Sequence, residues 1–170
     1  MQYNFIANAA VPSASGRTIP VIDPSHGEAF DELQRGNAHD IDAAVHAARQ
    51  CRDAVWGRLS AAERGRLLMR LSAKVTEHAD ELAALEQRDC GKPTKQARAD
   101  VVALARYFEY YAGACDKLHG DTIPYLDGYS VLTWREPHGV TGHIIPWNYP
   151  AQIFGRSVGG ALAAGNMCVW

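Results

Sequence analysis

Residues 138–150, HGVTGHIIPWNYP, restrict the fold of this chain more than any other stretch. The run is mostly apolar without the alternation of a half-exposed strand, so it reads as a buried parallel strand ending at Trp147. Pro150 suits the first position of a helix, where no backbone N–H is needed, and AQIFGRSVGGALAAGN continues that helix. GNMCVW then reads as a helix stop and the next strand. In such a strand–helix–strand unit the loop before the helix lies at the carboxyl end of the sheet, where open α/β folds bind ligands. Asn148 occupies this loop, and Pro146 and Pro150 restrict the backbone on either side of it. A neutral amide fixed in such a place can stabilise negative charge developing on a carbonyl oxygen under attack. The loop lacks the G-x-G-x-x-G dinucleotide signature, because bulky Trp147 and Tyr149 stand where glycines would be needed. GRSVGG falls inside the helix, so Gly155, Gly159 and Gly160 are expected to serve close helix-on-sheet packing.

The preceding sequence is mainly helical. Asn37 followed by Asp40 forms a capping pattern. It opens a helix whose buried face is Ile41, Ala44, Val45, Ala48, Cys51 and Val55. SAAE at Ser60–Glu63 is a capping box for a second helix, with a stripe of Leu67, Leu68, Leu71, Val75, Leu82 and Leu85 running to Gly91. Pro93 begins a third, with Val101, Val102, Leu104, Ala105, Phe108, Tyr111, Ala112 and Leu118 as its apolar face. Before these helices, IPVIDPSHGEAFDEL offers two short β runs about a Pro24–Gly27 turn. After them, DTIPYLDGYSVLTWREP alternates on both sides of Asp127–Gly128, a dipeptide that favours a two-residue turn, and predicts a β-hairpin from about Thr122 to Arg135. A lone hairpin is marginal in water, so it is expected to rest either on this chain's own core or on a neighbouring subunit's sheet, and exposed edge strands favour the second.

Composition narrows the function classes. At 170 residues, 47% apolar and 21% charged, the chain has ordinary globular usage. A formal net charge of −2 gives no field to attract nucleic acid or an anionic membrane. No uncharged run is both long and apolar enough to span a bilayer. The N-terminus lacks the features of a secretory signal, which gives a cytoplasmic expectation. Cys51, Cys90, Cys115 and Cys168 form no C-x-x-C pair or His-containing cluster, so no metal site or disulfide framework is expected. Cys90 lies beside Lys92, a cation that can activate a thiol, but no base is visible next to it and it reads as a helix-end cysteine.

DPSHGE, DIDAAVHAAR, LSAAERGRLLMRLS, CGKP, YYAGACDKLHGDTIP, REPHGVTGHIIPWNYP and ALAAGN, in this order and spacing, resemble the N-terminal part of the NAD(P)-dependent aldehyde dehydrogenase superfamily. The resemblance implies an α/β fold in which helices pack on an incomplete Rossmann-like parallel sheet, with a protruding β-hairpin. Residues 1–120 and 137–170 would form part of a cofactor-binding domain, and 121–136 an oligomerisation hairpin. It further implies that Ile144, Ile145, Pro146 and Trp147 line the nicotinamide side of an NAD or NADP cleft. Asn148 would donate to the carbonyl oxygen of an aldehyde substrate, and the enzyme would be a homo-oligomer, dimer or tetramer. In the family a cysteine thiolate attacks the aldehyde, hydride leaves the thiohemiacetal for the cofactor, and a glutamate base assists hydrolysis to the carboxylic acid. None of the four cysteines matches that nucleophile, and the ribose-binding lysine that the family places a few residues after GN does not appear before Trp170. The expectation is therefore a truncated chain that is inactive alone, the alternative being a non-catalytic remnant that binds related subunits.

Overall fold

The computed structural model describes residues 1–170. Two small antiparallel hairpins begin the chain: β1 (Asn4–Ile6) with β2 (Ala9–Val11), and β3 (Thr18–Ile22) with β4 (Ala29–Gln34). The first turns on Ala7 and Asn8, both at positive φ, the backbone a tight primed turn requires. The second brackets the expected Pro24–Gly27 turn.

Helix α1 (Ala38–Ala54) starts as its sequence predicts: the Asn37 side chain accepts from His39 and Asp40 amides, and Asp40 accepts from the Asn37 amide. Asp40 also accepts from the Ser13 hydroxyl and the Ala14 amide, so this cap pins the N-terminal arm. Of its expected buried face, Ile41 and Val55 are exposed. A 3-10 turn at Trp56–Arg58 leads to α2 (Ala61–Glu77), opened by the Ser60–Glu63 capping box.

One helix was expected from here to Gly91. The chain instead bends at His78 (φ −100°, ψ 19°) and restarts as α3 (Ala79–Cys90). The bend keeps Leu68 and Val75 of α2 and Ala83 of α3 buried against α4 (Thr94–Ala114), while Leu71 and Leu85 of the predicted stripe are exposed. Gly91, at φ 66°, closes α3 in the left-handed conformation expected of a helix end.

Helix α4 is the centre of the molecule. Its face of Ala97, Val101, Leu104, Ala105, Phe108 and Ala112 is buried by α2, α3 and α5 (Pro150–Ala163), whereas Val102 and Leu118 are exposed. The helices thus cover one another's apolar stripes. The glycines of α5 serve this helix pairing rather than helix-on-sheet contact. A Cβ on Gly155 would stand 2.9 Å from Leu104 Cδ1, and one on Gly159 2.9 Å from Tyr111 Cδ2. Without side chains at these two positions the helices approach closely enough for Phe108 and Phe154 to meet edge to face at 6.2 Å.

The predicted strand–helix–strand unit is present, with β7 (Val140–Gly142) parallel to β8 (Met167–Val169) across α5. Both α1 and α5 pack on this pair. Buried Asn166 aligns it, accepting from the Gly139 amide at 3.0 Å and donating to the Ala161 carbonyl at 3.1 Å.

The hairpin is present but shorter than expected. Only β5 (Thr122–Ile123) and β6 (Val131–Leu132) pair regularly, below a wide connection in which Asp127–Gly128 form the tip. Pairing continues irregularly at its base through Asp121–Thr133 and the Arg135 bond to the His119 carbonyl. Tyr125, Leu126, Tyr129, Leu132 and Trp134 are all exposed, Trp134 to 83%.

Candidate active site

The loop from His143 to Tyr149 leaves the carboxyl end of β7 and enters α5 at Pro150. His143 continues the sheet by donating its amide to Val169 at 2.8 Å, and its ring is held between the Ser157 hydroxyl at 2.6 Å and the Thr141 hydroxyl at 2.8 Å. From there the loop turns outward. Ile144 is 97% exposed and Trp147 81%, Pro146 is exposed, and Ile145 is half-buried. Asn148 is exposed as well, and its hydrogen bonding within the chain is through its main-chain carbonyl.

What holds the loop comes from the α3–α4 connection. The Cys90 thiol donates to the Trp147 carbonyl at 3.1 Å. The Lys92 ammonium donates to the Asn148 carbonyl at 3.1 Å and lies 4.9 Å from the centre of the Tyr149 ring, within cation–π range. Three successive residues are therefore gripped by the segment CGK. The other two Lys92 donors go to Glu86 Oε1 at 2.6 Å and Asp100 Oδ2 at 2.7 Å. Asp100 accepts on its second oxygen from Gln96 and from Gln152 in the first turn of α5, both at 2.7 Å. Its side chain is 0% exposed and that of Lys92 10%.

This cluster pairs one cation with two carboxylates, and their proton affinities separate accordingly. Burial raises the pKa of Glu86, against the pull of Lys92 and with the Asp100 carboxylate adding to the rise. Burial also opposes ionisation of Asp100, but bonds from Lys92, Gln152 and Gln96 outweigh it and its pKa falls. For Lys92 burial pulls downward, the two carboxylates outweigh it, and the net direction is up. On acidification Glu86 is therefore the carboxylate of the cluster that accepts a proton first.

Three of the four thiols are made harder to ionise by their position. Burial pushes up the pKa of Cys90 despite the nearby Lys92, and does the same for Cys115 and for Cys168, which faces Thr141 from β8. Cys51 lies on α1. No group of three or more His, Cys, Asp or Glu residues is placed to hold a metal ion, and no helix is long and apolar enough to cross a membrane.

Sequence reasoning placed Asn148 on its loop but missed its support. The usable signal was charge on an apolar stripe: Asp100 follows Ala97 and precedes Val101 and Leu104 on the buried face of α4, and Glu86 follows Ala83 on α3. Buried charges in such places need partners.

The fold and loop together define an α/β protein with one parallel, helix-covered strand pair, and the exposed Asn148 lies on the loop at the carboxyl end of the first of these strands. Residues 10–170 match the model of the "Aldehyde dehydrogenase family". Aldehyde dehydrogenase family 2 member B4, a mitochondrial protein of Arabidopsis thaliana, is 49% identical over 161 residues, covering 94% of this chain and 30% of its own. A candidate aldehyde dehydrogenase from Burkholderia cenocepacia superposes with a TM-score of 0.95 at 66% identity, over 98% of this chain and 35% of that one. PnpE, solved in complex with nicotinamide adenine dinucleotide, gives 0.93 at 39% identity, over 99% and 35%. The chain belongs to the aldehyde dehydrogenase family. It spans about a third of the length of these relatives.

Proposed function

We propose that this chain contributes the oxygen-binding amide and one wall of the cofactor cleft to an enzyme that oxidises an aldehyde to a carboxylic acid with NAD or NADP. The observation that carries the reading is Asn148: its main chain is fixed by Lys92, while its side-chain amide is left exposed on the loop. Attack of a thiolate on the aldehyde carbon places negative charge on the carbonyl oxygen. A preorganised neutral donor stabilises that charge without having to reorganise as it forms. Backbone fixation matters because small displacements of a donor weaken catalysis steeply.

Cofactor binding fits the same loop. Ile144 and Trp147 present broad apolar surfaces beside the donor, suited to lie against a planar ring, with Pro146 between them and Ile145 anchoring the run inward. When bound, the nicotinamide accepts hydride from the substrate carbon. The nucleophile and the base are assigned to parts of the enzyme other than residues 1–170, a reading supported by the raised thiol pKa values of Cys90, Cys115 and Cys168. Residues 1–120 and 137–170 form the cofactor-side unit in this reading.

The exposed hairpin favours a subunit-contact role for residues 121–136, within a homodimer or homotetramer, since six large apolar side chains stand open on it. A cytoplasmic location belongs to the proposal too. The competing reading, a non-catalytic interaction module, predicts no turnover at any length. Aldehyde-dependent reduction of NAD or NADP by the protein expressed at its native length tests the proposal, and absence of that reaction across aliphatic and aromatic aldehydes would refute it.

A further inference from the structure

Lys92 is the one residue that touches both the buried carboxylates of the helical core and the backbone of the candidate donor loop. We propose that Lys92 is a positioning residue for Asn148, transmitting the rigidity of α3 and α4 to the amide through the Asn148 carbonyl. The inference rests on the donor reading above.

Three observations support it. The ammonium has three donors and all three are used, on Glu86, Asp100 and Asn148, so it cannot rotate to another partner without breaking a charge-assisted bond. Asp100 also holds Gln152, so the two ends of the Asn148–Gln152 segment are tied to one buried carboxylate, one of them through Lys92. The adjoining Trp147 carbonyl is held by Cys90, two residues before Lys92, so the loop is fixed at consecutive peptide groups from one direction. The anchor itself is rigid, since Asp100 sits at 0% exposure between Ala97 and Val101 of the core. Two carboxylates would not be needed to solvate one surface lysine. They are needed to keep an ammonium in place inside the protein.

The test uses the protein at its native length. Lys92→Met removes the bond but leaves buried carboxylates unpaired and can unfold the chain. The triple variant Glu86→Gln, Lys92→Met, Asp100→Asn removes the charges together and keeps an oxygen for Gln152, so it carries the decision. Hydrogen exchange of residues 146–153, read at the Ile153 amide that donates to the Tyr149 carbonyl at 2.9 Å, should accelerate about tenfold or more, as expected for a lost bond to a charged group, while α2 and the middle of α4 stay protected. In the same variant kcat should fall about tenfold with the cofactor KM within about twofold, whereas in an Asn148→Ala background the triple change should produce no further loss, because both changes act on one donor. Unchanged exchange at 146–153, exchange raised equally throughout, or fully multiplicative kinetic effects would overturn the proposal. If the unaltered protein oxidises no aldehyde, the donor reading fails by itself, and exchange at 146–153 alone decides whether Lys92 fixes the loop.

Discussion

Replacement of Asn148 by alanine separates the catalytic reading from a structural one, because the two predict opposite patterns. The side chain is exposed and the residue bonds within the chain through its carbonyl, which alanine retains. Its loss should therefore change stability by no more than about 0.5 kcal/mol. For a chain of this size that is a shift in Tm of about 2 °C or less. An amide that meets the developing oxyanion contributes far more to the transition state, about 2.7–4 kcal/mol, equivalent to roughly 10²–10³ in kcat. Asn148→Asp, nearly identical in shape, places a carboxylate where the donor stood and should depress kcat further. The assay is aldehyde-dependent formation of the reduced cofactor at saturating aldehyde and cofactor, alongside thermal melting and direct measurement of cofactor binding. The expected result is a large loss of kcat, an unmoved Tm, and cofactor affinity within about threefold. If kcat were unchanged, or fell only in step with a Tm lowered by many degrees, Asn148 would be a turn residue and the mechanism built on it would be wrong.

Glu86→Gln should become progressively favourable as pH rises. A carboxyl whose pKa is raised by folding contributes most below the ordinary glutamate range and loses that contribution as pH climbs through the folded value. Melting at pH 5 and pH 8 should thus show the variant gaining on the parent at the higher pH, and a gap independent of pH would contradict the assignment. Gly65→Ala should cost about 1–3 kcal/mol, because its Cβ would stand 2.7 Å from the Ala112 carbonyl oxygen. Gly113→Ala, with nothing within 4 Å of its Cβ, should gain roughly 0.5–1 kcal/mol. Urea midpoints check the pair, and equal effects would refute the packing of α2 on α4. Leu132→Ser with Trp134→Ser should lower the molecular mass by light scattering, and an unchanged mass would remove the hairpin from any subunit contact.

Features set by neighbouring residues could be read from the sequence. The Asn37–Asp40 and Ser60–Glu63 caps and the Gly91 helix end appear where their side chains and backbone requirements place them. Asn148 was legible for a related reason, since the transition from strand to helix fixes where such a loop lies. The bend at His78 was not, because Leu68, Val75 and Leu82 keep an unbroken helical spacing and the interruption answers to packing on α4. The glycines of α5 announced a close approach but not its partner. The Lys92 cluster was hidden most thoroughly, since Glu86, Asp100, Gln152 and Asn148 meet only once the tertiary fold has formed.

Lys92 and Asn148 stand 56 positions apart along the chain. At about 5–20 residues per second, synthesis of the intervening length takes roughly 3–11 s. Helix α4 is complete at Ala114, 34 residues before Asn148, so α2, α3 and α4 have roughly 2–7 s of that interval to associate before the asparagine is made. The ribosome thus delivers the donor loop late, to a socket whose charges are already matched, and the last step in shaping this part of the molecule is a docking rather than a search.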